Sequence, residues 1–117
     1  MAKKPSNRLR AICLALPEAT ESAMKRGPTF RVGGKIFAWD RPWNGAASVW
    51  LKVPKGMQSV LIGADPARFF SPPFVGTKGW VGMSLAGRPD WNEVESLLRR
   101  SYRLVAPKKL VDKIGPD

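Results

Sequence analysis

The first apolar residues of the chain recur at the spacing of one helix face. They stand at positions i, i+3, i+4 and i+7: Leu9, Ile12, Cys13 and Leu16. Ser6 precedes this stripe as a candidate N-cap, and Pro17 follows it at a point where a helix has to stop. The pattern therefore predicts a helix that buries Cys13, and burial of a thiol opposes formation of the reactive thiolate.

Two short runs of alternating residues follow, at 29–32 and 35–38, and only two glycines separate them. Two glycines between such runs are typical of a β-hairpin whose turn needs positive φ angles. A two-residue turn places Phe30 opposite Phe37, and opposed residues share a face of the sheet. The face predicted for the core holds Phe30, Val32, Phe37 and Trp39. The other face holds Thr29, Arg31, Ile36 and Ala38.

In the middle of the chain, Gly and Pro residues separate short predicted elements. Residues 48–53 alternate well enough for a third strand, and a short helix is predicted to begin near Lys55. Two prolines within residues 69–77 exclude a central strand there, so we expect an irregular segment or an edge strand. Residues 80–85 have the pattern of a further strand.

The closing helix has the clearest start. Asp90 and Glu93 match the D-x-x-E capping pattern, and an apolar stripe begins there: Trp91, Val94, Leu98 and Tyr102. The predicted order of elements is α-β-β-β-α-β-β-α. The economical arrangement is an α+β fold of two layers, an antiparallel five-stranded sheet with the helices on one face. We expect a single domain over residues 1–117, with flexible tails at 1–5 and 111–117.

Composition excludes several kinds of catalytic or metal site. Among 117 residues there is no histidine and only one cysteine, which removes histidine-dependent catalysis and cysteine zinc clusters. The carboxylates stand at helix ends or on helix faces, where capping or solvation accounts for them. Gly33-Gly34-Lys35 lacks the spacing of a Walker A loop. We therefore expect no enzymatic activity, no cofactor and no bound metal.

The charge balance points to anionic partners. Lys and Arg number 20 against 9 Asp and Glu, a formal net charge of +11. Such an excess favours nucleic acid or another anionic surface, although it can also serve solubility alone. The apolar run at residues 11–16 is shorter than the core of a signal peptide, and no stretch approaches the length of a membrane span. We expect a cytoplasmic protein without a membrane partner.

Basic and aromatic residues coincide on the predicted outer face of the sheet, where Arg31, Trp50 and Lys52 would lie. Such interleaving lets bases stack while cations contact phosphates, although the same aromatic residues can simply cover the sheet. Further basic residues cluster at 3–10 and 99–113, and they would merge into one stripe if the first and last helices packed side by side. The predicted phosphate contacts are Arg31, Lys35, Lys52, Arg99, Arg100 and Arg103.

Several pieces of the sequence together resemble the MmcQ/YjbR-like family, over about residues 8–110. They are Leu16-Pro17-Glu18, residues 30–38, Leu51-Lys52-Val53, residues 72–76 with 79–81, and residues 101–110. The resemblance implies a small α/β domain with an antiparallel sheet, related to frataxin-like and secretion-chaperone-like folds. Members are usually described as DNA-binding proteins of a double-wing type. No catalytic or metal residues are carried over, and the histidine that members often have within residues 21–26 is absent here.

Two hypotheses of function follow. The first is a non-enzymatic DNA-binding protein of low sequence specificity, whose basic clusters contact the phosphate backbone. The alternative is a module that binds a protein or peptide through the open sheet face or an exposed edge strand, with Ile36 and Trp50 as contacts. A third reading, an enzyme acting on a small metabolite, lacks any assembled nucleophile, base and orienting group.

Overall fold

The computed structural model describes residues 4–24 and 26–115, and in this range the chain alternates helices with short strands. The helices are α1 (Pro5–Leu14), α2 (Met57–Ala64), α3 (Trp91–Val105) and α4 (Lys108–Ile114). The strands are β1 (Thr20–Ser22), β2 (Thr29–Val32), β3 (Lys35–Asp40), β4 (Ser48–Lys52), β5 (Phe69–Phe70) and β6 (Trp80–Ser84). A 3-10 turn, Val75–Lys78, precedes β6.

The strands form one antiparallel sheet in the order β1-β2-β3-β4-β6-β5. The predicted α+β class with an antiparallel sheet is correct, but the prediction of five strands is wrong, because the described residues contain six. The additional strand is β1, which pairs with β2 at the sheet edge. Its sequence, Thr-Glu-Ser, has no apolar alternation that would mark a strand.

The helices pack against one core on the inner face of the sheet. Leu9 and Cys13 from α1 are fully buried there, as are Val94 and Leu98 from α3. The partly buried apolar residues of the shorter helices contact the same cluster: Met57, Leu61, Ile62 and Ile114. Asp90 caps α3 as predicted, since its carboxylate accepts hydrogen bonds from the backbone N–H groups of the first turn.

The predicted register of the hairpin is correct through the pair Arg31 and Ile36 and wrong from Phe30 onward. Val32 pairs with Lys35, as expected, but Phe30 pairs with Ala38 and not with Phe37. Phe37 is left without a partner residue in β2, which is the pattern of a β-bulge. The extra residue reverses the faces beyond it: Ala38 is buried in the core, and Trp39 lies on the outer face, where it pairs with Trp50.

Parts of both predicted tails belong to helices. Residues 111–114 belong to α4, where Leu110 is buried and Ile114 packs against the core. Pro5 begins α1. The rest of the predicted tails, residues 1–3 and 116–117, lies outside the described residues, as does Lys3 of the N-terminal basic cluster.

Candidate nucleic-acid interface

One end of the sheet collects the β2–β3 turn, the last residue of β4 and the first residue of β6. Lys35 begins β3 next to the turn, and Lys52 pairs with Trp80 across β4 and β6. Because neighbouring strands are antiparallel, these positions lie at the same edge of the sheet. We call this edge, with Gly33, Gly34, Lys35, Lys52 and Trp80, the hairpin end.

Helix α3 runs towards the hairpin end and is fixed there by a buried serine. The Ser101 hydroxyl donates to the Phe37 carbonyl at 2.6 Å and accepts from the Lys52 backbone N–H at 2.9 Å. The chain then passes close to the turn, because a Cβ placed on Gly33 would lie 3.4 Å from Cδ of Pro107. Helix α4 therefore begins at the hairpin end with two exposed cations, Lys108 and Lys109.

A cleft of about 530 Å³ opens beside Lys52 at this end. Three cations line it, and we call it the lysine cleft: Lys52, Lys55 and Lys78. The hydroxyls of Ser59 and Thr77 stand on its walls, and the uncapped N-terminus of α2 begins at Gly56 in the same lining. The positive end of a helix dipole adds to the attraction of the lysines for anions. The cleft therefore combines positive charge with two hydroxyls, which donate to the Gly56 and Phe74 carbonyls.

The far wall of the lysine cleft is held to α2 by one amide. The Gln58 side-chain amide donates to the Gly76 carbonyl at 2.8 Å and to the Trp80 carbonyl at 2.5 Å. Gly76 is itself buried, and a Cβ there would lie 2.3 Å from the Ser71 hydroxyl oxygen. Both walls of the cleft are thus tied together by buried or half-buried groups.

Three of the predicted phosphate contacts come together at the hairpin end. Lys35 is exposed, Lys52 is half-buried in the lysine cleft, and Arg31 is half-buried with its Nη1 donating to the Gly34 carbonyl at 3.2 Å. In the part of the chain that the structure describes, neither Lys35 nor Lys52 takes part in an ion pair. Their charge is therefore not neutralised by a carboxylate.

The predicted contacts on α3 have a different environment. Arg99 donates to the Ile114 carbonyl at 2.5 Å, and Arg103 donates to the Gly115 carbonyl. Both guanidinium groups thereby satisfy carbonyls at the end of α4 and compensate the negative end of its dipole. Arg100 is exposed between them. Arg99 and Arg103 therefore have a structural role, holding the end of α4 to α3, besides any contact with phosphate.

The two terminal basic clusters do not form one stripe. Arg8 stacks on the Trp91 ring at 5.1 Å from its centroid, at the beginning of α3, and Arg10 pairs with Glu21. Arg99 and Arg103 lie towards the other end of α3. At 1.5 Å per residue, Trp91 and Arg103 are about 18 Å apart along the helix.

The outer face of the sheet is closed by aromatic residues. Trp50 is fully buried under Trp43 and Phe70, whose rings stack at 5.6 Å and 14°. The Arg41 guanidinium lies 4.9 Å from the Trp39 ring centroid and 4.4 Å from that of Trp50. Trp50 therefore covers the sheet and cannot stack on a base in this structure.

Carboxylates gather at the opposite end of the molecule. Arg68 binds Asp65 at 2.6 Å and Glu93 at 2.5 Å, close to the end of β6, where the Ser84 N–H donates to the Arg68 carbonyl. Asp40 ends β3 on the same side, and burial raises the pKa of its carboxyl above the usual value. The lysine cleft and these carboxylates therefore lie at opposite ends of the sheet.

The phosphate contacts predicted from the sequence did not include Lys55 or Lys78, and the sequence assigned no binding role to Phe74. Lys55 follows β4, whereas Lys78 precedes β6, and the two meet because Lys52 pairs with Trp80. No local sequence pattern predicts such a pairing between segments that are distant in the chain.

No group of residues with the composition of a metal site occurs in the described ranges. Nor is any described helix long and apolar enough to cross a membrane.

Comparison with known proteins agrees with this architecture. The YjbR family model matches residues 14–104, so the chain belongs to the YjbR family. The crystal structure of Deinococcus radiodurans protein DR2400, which has a DUF419 domain, is similar with a TM-score of 0.74 and 25% identity. That match covers 93% of this chain and 86% of the other. A search of curated protein sequences finds no significant match.

Proposed function

We propose that this protein binds DNA with little sequence specificity, through the hairpin end and the lysine cleft. The observation that carries the proposal is the convergence of cations at one end of the sheet: Arg31, Lys35, Lys52, Lys55 and Lys78. Polyanions with regularly spaced phosphates are the ligands that such a surface attracts most strongly. The proposed activity is binding without catalysis, and the cytoplasmic location remains a prediction.

The expected lack of specificity follows from the kind of contact. Lysine binds phosphate as a flexible point charge, and phosphate contacts carry no direct sequence information. The β2–β3 turn carries the exposed Lys35 at the edge of the sheet, where it can contact a phosphate of the duplex. Arg31 is tied to the Gly34 carbonyl and stiffens the base of that turn.

The competing hypothesis of a peptide-binding module has weaker support. Trp50, one of its two proposed contacts, is fully buried, and the other, Ile36, is half-buried. The edge strand β1 offers only three residues for pairing with an added strand. We therefore favour the anionic partner.

The test is the salt dependence of affinity for a short DNA duplex. Contact with about five phosphates predicts a log–log slope near −4 to −5. The variants Lys52→Gln, Lys55→Gln and Lys78→Gln should each weaken binding and each reduce the slope by about 0.9. Arg88→Gln is the matched control. Arg88 is exposed in the loop after β6, and its substitution removes the same single positive charge far from the lysine cleft.

Two results would contradict the proposal. One is the absence of duplex binding at low salt. The other is a loss of affinity in Arg88→Gln as large as that in the cleft variants, which would show that only net charge matters.

A further inference from the structure

Phe74 is presented to solvent by a strained turn. Its side chain is 83% exposed, more than any other large apolar side chain in the described chain. Its backbone has φ 66° and ψ −61°, and the Val75 N–H donates to the Pro73 carbonyl at 2.7 Å. These are the angles and the hydrogen bond of a γ-turn with positive φ, which is rare and strained for a residue with a side chain.

The surrounding loop holds this conformation in place. Pro72 is buried, and its carbonyl accepts from the Gly76 N–H at 2.8 Å. The two hydrogen bonds from Gln58 fix the segment that follows Phe74. Strain of this kind persists only where neighbouring contacts enforce it, and it occurs preferentially at binding sites.

Phe74 belongs to the loop that forms one wall of the lysine cleft, three residues before Thr77. Its carbonyl accepts a hydrogen bond from the Thr77 hydroxyl at 2.9 Å, and both Thr77 and Lys78 line the cleft. An exposed aromatic residue thus shares a loop with a wall of the lysine cleft, whose cations have no carboxylate partner among the described residues.

We infer that Phe74 stacks on an unpaired base while the lysine cleft holds the neighbouring phosphates, so that the preferred ligand is single-stranded DNA. This inference rests on the proposed DNA binding and narrows it. Single-strand binders combine a basic groove with aromatic side chains on which bases stack, largely without regard to sequence. In a duplex the bases are already stacked on each other, so the ring of Phe74 gains no such contact there.

The experiment compares Phe74→Leu and Phe74→Trp with the wild type, by fluorescence anisotropy on a single strand and on the duplex of the same sequence. Leucine keeps an apolar side chain but has no π face. Phe74→Leu should weaken single-strand binding about tenfold, the usual effect of losing one stacked base, and leave duplex binding within about twofold. Phe74→Trp should retain or strengthen single-strand binding. Met24→Ala removes another exposed apolar side chain as a control.

A second readout reports stacking directly. A 2-aminopurine base in the single strand should be quenched on binding to the wild type and to Phe74→Trp, and much less on binding to Phe74→Leu. Lys78→Gln should lower affinity for both DNA forms together, because it removes a phosphate contact and no stacking contact.

The outcomes separate the two proposals. If the wild type binds duplex with the expected salt dependence but Phe74→Leu binds the single strand unchanged, the stacking inference is wrong and DNA binding stands. Equal losses on both DNA forms in Phe74→Leu would also overturn the inference. If the wild type binds neither form at low salt, both proposals are wrong.

Discussion

Ser101 offers the sharpest test of how the hairpin end is held together. Its side chain is fully buried, and its hydroxyl joins α3 to two strands through the Phe37 carbonyl and the Lys52 N–H. Ser101→Ala removes both hydrogen bonds and leaves the part-buried Lys52 N–H and the buried Phe37 carbonyl without this partner. Each unsatisfied group costs about 1–3 kcal/mol, whereas alanine recovers roughly 0.5 kcal/mol through its higher helix propensity.

The expected net loss in the free energy of unfolding is about 1.5–5.5 kcal/mol, and each kcal/mol corresponds to roughly 4 °C in Tm for a domain of this size. Urea unfolding followed by tryptophan fluorescence should show a lower midpoint with an unchanged m-value. Ser96→Ala is the control, since it makes the same chemical change in α3 at a residue without a described side-chain hydrogen bond. If the two variants are equally stable, the Ser101 hydroxyl does not hold the sheet to the helix.

Three further predictions follow from single residues. Phe74→Gly should raise the free energy of unfolding by about 0.5–2 kcal/mol, because the relief of backbone strain exceeds the entropy cost of glycine. Thermal unfolding measures this change, and an unchanged or lower stability would show that the turn is not strained. Burial raises the pKa of the Cys13 thiol, so labelling by a thiol reagent should be slow in the native protein at mildly alkaline pH and fast in urea; fast native labelling would contradict the burial. Burial also raises the pKa of the Asp40 carboxyl. Its contribution to the free energy of unfolding therefore becomes unfavourable as pH rises from the unfolded-state pKa through the folded-state pKa, because the unfolded chain loses the proton more readily. Asp40→Asn should therefore stabilise the protein more at neutral pH than below the unfolded-state pKa, as measured by urea unfolding at both, and the reverse order would contradict the sign.

The β2–β3 hairpin illustrates what the sequence could and could not predict about the fold. Two glycines between alternating runs define the turn, and the pairing of Val32 with Lys35 follows from it. The bulge at Phe37 is not visible, because Phe37, Ala38 and Trp39 are all apolar and either alternation is compatible with them. A one-residue shift reverses every following face, which is why Trp39 was placed in the core.

The candidate site was predictable only where it lies on regular strands. Lys35 and Lys52 follow from the hairpin and from the third strand. Lys55 and Lys78 join them through a strand pairing that has no local pattern. Arg99 and Arg103 were assigned to phosphate because they belong to the basic cluster at 99–113. The carbonyls that they bind lie at the end of α4, where the sequence predicted a flexible tail.

The amide of Gln58 has a kinetic consequence. It holds both walls of the lysine cleft, through the Gly76 and Trp80 carbonyls, so the cleft cannot widen without breaking both hydrogen bonds. A ligand therefore meets a site of preset width and does not wait for an opening motion. Association should then be a single phase whose rate is set by electrostatic steering and falls steeply with ionic strength.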